Sequence, residues 1–500
     1  MASFKLYVKR NDKNAFNITK YKSLNILINL VVGLVFAFIF WLPLFVFSLL
    51  EILDDKQIYP TLYSYLHPHL YLEVFILIGV IAFIVFIAYS FYKKKLDYRI
   101  LVLIVFFLLI PFYLYTYFGY FPFFEWALGL FYLLSLGVFL LSPRVYRISF
   151  GFFTGVLGLY WIALSLRFFN LGYAMPIVII ALGIYVAVLF YFLLWFKNPI
   201  IRIVALLILG LIHPLSFNWF DVKFFSAYTI FEPTIIAMIV LSVAVILLKN
   251  KDWLSSVIAM VFILYSMQFS NPDFKFPNLD IKLAKLNYNQ TYKDNPNNFP
   301  TIAKENLEKI DQAINEKKDL IILPESAFPF ILNESPLEGT LKNLSTKIAI
   351  VTGALRSQGK DVYNTTFIFN RGEVKYIDKV ELVPFGERLP FTFILGPLYR
   401  HLNMGSFSAG SEFKSFKVQG LSFDNAICYE ATTPKSYEKV GKYMVTTSNN
   451  AWFMPSLEPY FQKIIMKYYA RRYKIVNFHA TNFSPTFTIT PNMGLDMSKK

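Results

Sequence analysis

The chain has 500 residues, of which 56% are hydrophobic, 19% aromatic and only 16% charged. A soluble protein of this size carries about 25% charged residues, so the composition excludes an ordinary globular protein surrounded by water. The net charge of +16 does not call for a nucleic-acid partner, because the basic residues are dealt into alternate connections between apolar runs.

From residue 24 to 270 the sequence is a near-continuous series of apolar runs, and from 271 to 500 its composition is that of a globular domain. A helix needs about 20 apolar residues to cross the bilayer core. Nine spans are expected, at 24–50, 70–91, 100–117, 123–141, 148–168, 173–196, 199–216, 229–248 and 253–270. The first is longer than the apolar core of a cleaved signal peptide and no small-residue cleavage site follows it, so it is expected to stay as an anchor. Before it lies a basic tail, 1–23, with Lys5, Lys9, Arg10, Lys13, Lys20 and Lys22. On the same side fall Lys93, Lys94 and Lys95, then Arg144 with Arg147, Lys197 with Arg202, and Lys249 with Lys251; the other side carries Glu51, Asp54 and Asp55 and the Asp221/Lys223 loop. Positive charge is retained in the cytoplasm during insertion. The N-terminus is therefore expected inside and everything after 271 outside, which in a bacterium is the periplasm.

In the second half, strands are expected at 281–288, 319–324, 347–353, 364–370 with 373–377, 413–418 with 421–428, 443–448, 479–482 and 487–490. Helical spacing of apolar residues marks 301–316, 434–440 and 457–476. Strands interleaved with helices predict an α/β layered domain. Its one cysteine, Cys428, has no partner for an internal disulfide. A lone cysteine is by default a small buried hydrophobe, so its neighbours have to argue otherwise.

Three strands end in a reactive residue: Ile321-Ile322-Leu323-Pro324 runs into Glu325, Tyr376-Ile377-Asp378 into Lys379, and Asn425-Ala426-Ile427 into Cys428. Strand ends of α/β sheets gather catalytic groups, because a rigid strand fixes their position. A carboxylate removes a thiol proton, while an ammonium favours thiolate and stabilises the oxyanion formed on attack. Taken singly, Glu325 and Lys379 also fit solvated charges at strand ends.

The wording around them resembles the nitrilase (carbon-nitrogen hydrolase) superfamily, which carries a Glu–Lys–Cys triad in this order. Pro324-Glu325-Ser326 is similar to its Glu motif. The stretch from Lys379 through Val383-Pro384-Phe385-Gly386-Glu387, and Cys428-Tyr429-Glu430, resemble one branch, the apolipoprotein N-acyltransferases. Further matches are Ser448-Asn449-Asn450-Ala451-Trp452-Phe453, Phe407-Ser408-Ala409-Gly410 and the membrane segment 155–169. The resemblance covers roughly 100–494, so 24–98 reads as an N-terminal extension.

That resemblance implies a multi-pass helical membrane domain (24–270) followed by an αββα sandwich (271–500). It also implies ping-pong acyl transfer without cofactor or metal. Glu325 is the implied base, Cys428 the nucleophile attacking a membrane phospholipid, and Lys379 the oxyanion's cation. The acyl acceptor is the α-amino group of a diacylglyceryl-modified apolipoprotein. Glu387, Tyr429, Glu430, Asn449 and Trp452 are implied to bind substrate or support the site. The chain departs from the family at Asn450, where Asp is usual, at Met454, where Gly is usual, and at 290–294, where Tyr292 is the one aromatic in place of a Trp.

The stretch 389–406 is too apolar for an exposed loop, and either dips into the bilayer surface as a lid or packs on its own domain. The basic helix near Lys463, Arg471 and Arg472 either faces anionic headgroups or is a solvated face. His67 and His69 lack a third ligand and read as solvated loop residues. Two other readings stand beside acyl transfer: a membrane-anchored amidase or hydrolase using the same triad with water, and a membrane scaffold or transporter with a degenerate outer domain. Few charges lie inside the spans, which disfavours a transport path.

Overall fold

The computed structural model describes residues 15–55, 123–213, 217–250, 252–384, 386–388, 396–397, 406–438 and 441–496. The expected spans at 70–91 and 100–117, the pair His67 and His69, most of the basic tail and nearly all of the apolar 389–406 loop lie outside the described residues.

The apolar runs of the first half form helices α1 (Ala15–Asp55), α2 (Phe123–Leu141), α3 (Arg147–Leu159, continued as a 3-10 helix over Tyr160–Phe169) and α4 (Met175–Leu193). Four stretches, Leu24–Leu53, Phe124–Leu141, Arg144–Phe169 and Gly172–Leu193, are long and apolar enough to cross a membrane. They bury Phe40, Trp41, Phe139, Phe150 and Phe190 against one another and leave Leu27, Ile177 and Phe192 on the outer surface. Aliphatic and aromatic side chains exposed on this scale suit lipid rather than water. The Trp41 Nε1–H donates to the Thr154 carbonyl at 2.9 Å, which ties α1 to α3 where no water would satisfy the indole.

Three further apolar helices, α5 (Pro199–Leu209), α6 (Ile235–Leu247) and α7 (Trp253–Tyr265), are shorter than the expected spans 199–216, 229–248 and 253–270. At 13 residues, α6 and α7 each extend about 20 Å, less than the roughly 30 Å of a bilayer core. The apolar run between α5 and α6 has a second job. It leaves the helix, turns through a 3-10 segment at Val222–Ser226, and presents its backbone to the globular half.

That half is a sandwich of two sheets. The first contains β1 (Ile281–Leu283), β2 (Leu320–Ile322), β4 (Ala349–Gln358), β5 (Asp361–Asn370) and β6 (Glu373–Asp378) in that order, with β3 (Phe328–Ile331) also paired to β4. The second runs β11 (Phe487–Ile489), β10 (Val476–Asn482), β9 (Tyr443–Asn449), β8 (Leu421–Ile427) and β7 (Ser415–Val418). Alternation along the strands decides the layers. Leu320, Ile322 and Val351 of one sheet meet Phe423, Val445 and Phe478 of the other. The opposite residues Ile321 and Ile350 pack under helices α9 (Phe299–Asn315) and α10 (Leu337–Leu344). Helix α11 (Glu458–Tyr473) covers the outer face of the second sheet and shares one core with the membrane helices. The αββα order implied by the sequence is therefore present, while β3, α10 and the short helix α8 (Gln290–Asp294) had no clear periodicity to announce them.

Helix α11 corrects the expectation of a basic face turned to headgroups or solvent. Lys463, Lys467 and Arg471 are all buried, and only Arg472 of that set is exposed. Lys463 pairs with Glu51 of α1 at 2.6 Å, and Lys467 with Asp496 at 2.8 Å. Arg471 donates to the carbonyls of Ser226, Ala227, Thr229 and Phe231 at 2.8–3.0 Å. Lys463 and Arg471 thus weld the sandwich to the helical half. Breaking a buried ion pair strands the surviving charge at about 3–5 kcal/mol. Asp496→Ala is accordingly expected to destabilise the protein by about that amount, read as a lower melting temperature in detergent, because Lys467 also loses the acceptor that offsets its burial.

Candidate active site

The strand ends converge where the two sheets meet the seam with the helical half. Glu325 follows β2 on a tight turn in which Ser326 has a φ of 50°. The turn lies so close to β4 that a Cβ on Gly353 would meet the Glu325 Cα at 2.5 Å, so only glycine fits there. Lys379 follows β6 and is fixed through its backbone, accepting from the Gly410 N–H at 2.8 Å and donating to the Asn364 carbonyl at 2.9 Å. Cys428 ends β8 with a φ of 52°, a left-handed conformation that a non-glycine residue adopts only under constraint. All three side chains are buried.

Lys379 Nζ stands 2.9 Å from Glu387 Oε1 and 3.4 Å from Glu325 Oε1. Asn364, on β5, donates its Nδ2 to both carboxylates at 2.7 Å. The Asn449 N–H closes the other Glu325 oxygen at 2.8 Å, and the Val383 N–H does the same for Glu387 at 3.0 Å. Two carboxylates therefore flank one ammonium, each with every oxygen occupied. Burial works against the Lys379 charge, but Glu387 and Glu325 outweigh it and hold the ammonium well above its usual range. The Cys428 thiol is pushed well up, first by burial and then by Glu325, with Lys379 pulling the other way. At neutral pH Cys428 is thus a thiol rather than a thiolate.

A second ring steadies the first. Glu430 accepts from the Val380 and Glu381 N–H groups at 2.6 and 3.2 Å and from the Ile427 N–H at 2.7 Å, so it ties the Lys379 segment to the Cys428 turn. Burial pushes its carboxyl up to about 7, against the pull of Ile427, Lys379 and the other donors. Protonated, it would no longer accept from three N–H groups. Acyl transfer is therefore expected to fall as pH drops below about 7, and Glu430→Gln should give a low rate without that acid limb; a pH–rate profile of both proteins checks it.

Asn449 also bonds Gln290 at 2.9 Å and Asn482 at 2.8 Å, which orients the loop after β9. Tyr429 and Trp452 point to the helical half rather than to the Glu–Lys cluster. The Tyr429 hydroxyl donates to Asn218 at 3.3 Å and its ring stacks with Phe217, while Trp452 stacks with Phe169. Other residues at the cluster escaped the sequence reading. Asn364 shows only as a polar residue inside an apolar strand. Lys293, on α8, donates to the Glu325 carbonyl at 3.4 Å, and burial lowers its ammonium to about 8 against Glu325 and Asp294. Gln462, on α11, donates to Cys428 Sγ at 3.7 Å and to Ser448 at 3.4 Å. Ser448 in turn bonds His479 at 2.7 Å, which burial holds neutral by lowering it to about 3.

Residues 99–269 match the family model of the apolipoprotein N-acyltransferase integral membrane domain, and residues 282–475 match that of the carbon-nitrogen hydrolases. The apolipoprotein N-acyltransferase of Helicobacter hepaticus is 41% identical over 73% of this chain and 93% of its own length. That of Wolinella succinogenes is 36% identical over 72% of this chain and 88% of its own length. That of Helicobacter pylori is 35% identical over 72% and 87% respectively.

Proposed function

Because the chain belongs to the apolipoprotein N-acyltransferase family, we propose that it moves an acyl chain from a membrane phospholipid to the lipidated N-terminal cysteine of apolipoproteins through a thioester on Cys428. The observation that carries this reading is the buried ammonium of Lys379 locked between Glu325 and Glu387 beside a thiol that is neutral at rest.

Glu325 takes the thiol proton as sulfur attacks the ester carbonyl. A preformed thiolate is not needed, and a base coupled to the attack suffices. Lys379, with a backbone N–H near Cys428, stabilises the tetrahedral oxyanion. The ester C–O bond breaks, Glu325 returns the proton to the leaving alkoxide, and lysophospholipid departs. In the second half the acceptor's ammonium gives one proton to Glu325, and the amine attacks the thioester. The N–C bond forms, the C–S bond breaks, a second nitrogen proton ends on the Cys428 sulfur, and Glu325 releases its proton to water before the next cycle. Glu387 and Asn449 hold Lys379 and Glu325 in place, Glu430 couples their segment to the nucleophile's turn, and Tyr429 and Trp452 shape the seam through which lipid enters.

On this reading residues 24–270 form the membrane domain, preceded by the 1–23 tail, and residues 271–500 the catalytic domain, periplasmic on the bacterial inner membrane. The orientation is supported by α1. Its N-terminal end adjoins the basic tail, while Glu51 near its other end pairs with Lys463 of the sandwich. Positive-inside insertion then puts the sandwich outside.

Product analysis tests the reading. Purified protein given phospholipid and a diacylglyceryl lipopeptide with a free α-amine should yield N-acylated lipopeptide and lysophospholipid in equal amounts. Free fatty acid as the main product would make the protein a hydrolase and refute the proposal.

A further inference from the structure

Four carboxyl groups surround or adjoin Cys428, of which Glu325, Glu430 and Glu458 are buried and Glu387 is partly exposed, and three of the four are saturated. Glu325, Glu387 and Glu430 accept from Lys379, Asn364 and backbone N–H groups as described. The fourth, Glu458, opens helix α11 and is 2% exposed, and its Oε2 has no hydrogen-bond partner among the described residues. Leaving a buried acceptor unpaired is costly, so an oxygen kept this way signals a donor that arrives from outside.

The position is defined by the helix. Gln462 lies one turn further along α11, on the same face as Glu458, and its amide reaches Cys428 Sγ at 3.7 Å. Glu458 interacts electrostatically with both the Cys428 thiol and Glu325. The residues just before it lie against the end of the apolar 144–169 segment: Arg167 Nη2 donates to the Met454 carbonyl at 2.8 Å, and Trp452 packs edge-on to Phe168 at 5.3 Å. Glu458 thus follows a segment packed on that apolar end and precedes, by one turn, the Gln462 amide at the sulfur.

Of the two substrates, only the acceptor brings a cation with hydrogen-bond donors to the reacting atom. The site's own cations are already engaged, since Lys379 is held by Glu387 and Glu325 and Lys293 donates to the Glu325 carbonyl. We infer that Glu458 is the subsite for the acceptor's α-ammonium, holding it beside the Cys428 thioester while Glu325 removes the proton. This assignment rests on the transfer reaction proposed above and adds to it a residue that acts in the second half-reaction. Burial and Glu325 hold the carboxyl well above its usual range, which favours its neutral form; an arriving ammonium favours the carboxylate, whose proton leaves to water.

The test separates the two halves. Full-length wild type, Glu458→Gln and Glu458→Asp are charged with phospholipid, and thioester formation is followed by intact mass. A diacylglyceryl lipopeptide with a free α-amine is then added, and thioester loss is followed in the presence or absence of its N-acetylated analogue as competitor. In Glu458→Gln the ratio of aminolysis to thioester formation should fall about tenfold or more, the scale of a lost charge-assisted bond. The rise should be in the lipopeptide KM, and Glu458→Asp should recover part of it. Wild type should bind the free amine in preference to the acetylated competitor, and Glu458→Gln should not. Equal slowing of both halves, or an unchanged ratio and preference, overturns the assignment and leaves the parent reaction intact. Failure of wild type to form thioester or amide refutes the parent reaction, and the subsite with it.

Discussion

Cys428→Ala is expected to abolish acyl transfer while leaving the fold in place. Removing the nucleophile of a covalent mechanism costs on the order of 10⁶ in kcat, which puts the residual rate below any product assay. The substitution deletes one sulfur atom from a residue 8% exposed. Gln462 loses its contact with Sγ but still donates to Ser448 Oγ at 3.4 Å. Glu325, Lys379 and Glu387 keep every bond among themselves. The variant should therefore melt close to wild type in detergent, so the lost activity cannot be blamed on unfolding.

Lys379→Met should be nearly as damaging, and for two reasons. The ammonium is 1% exposed and stands between two carboxylates that share the Asn364 amide. Without it the oxyanion loses its cation, a loss of about 10²–10³ in rate. The two carboxylates also lose the cation that holds them side by side, so Glu325 loses its alignment as base and the total loss exceeds about 10³. Stability should also drop by about 3–5 kcal/mol, because the buried Glu325 and the partly exposed Glu387 lose their partner. An activity loss with no fall in melting temperature would mean that the ion cluster is looser than described.

The three strand ends were legible: Leu320–Ile322, Glu373–Asp378 and Leu421–Ile427 all form as strands, the middle one half-exposed. It was the wording around Glu325, Lys379 and Cys428 that set them apart from solvated strand-end charges. What the sequence concealed is long-range pairing. Nothing near Lys463 announces that its partner is Glu51, on the first helix, or that Arg471 needs the carbonyls around Ala227. Those basic residues therefore read as a surface, although they form the joint between the two halves. The same joint shortened the expected span at 229–248, because the Thr229 and Phe231 carbonyls accept from Arg471 rather than from a helical turn. Asn364 and Glu458 were missed for a different reason. Each is an ordinary polar residue until the fold sets it against Glu325 or Cys428, and the left-handed turn at Cys428 itself has no signature in composition.

The Cys428 thioester is the central claim, and intact mass spectrometry of the wild-type protein incubated with phospholipid alone tests it most directly. The account predicts a mass increase of a single acyl chain, released by hydroxylamine, absent from Cys428→Ala and mapped by fragmentation to the peptide containing Cys428. An unmodified wild-type protein that still produces acylated lipopeptide, or an adduct that persists in Cys428→Ala, would contradict it.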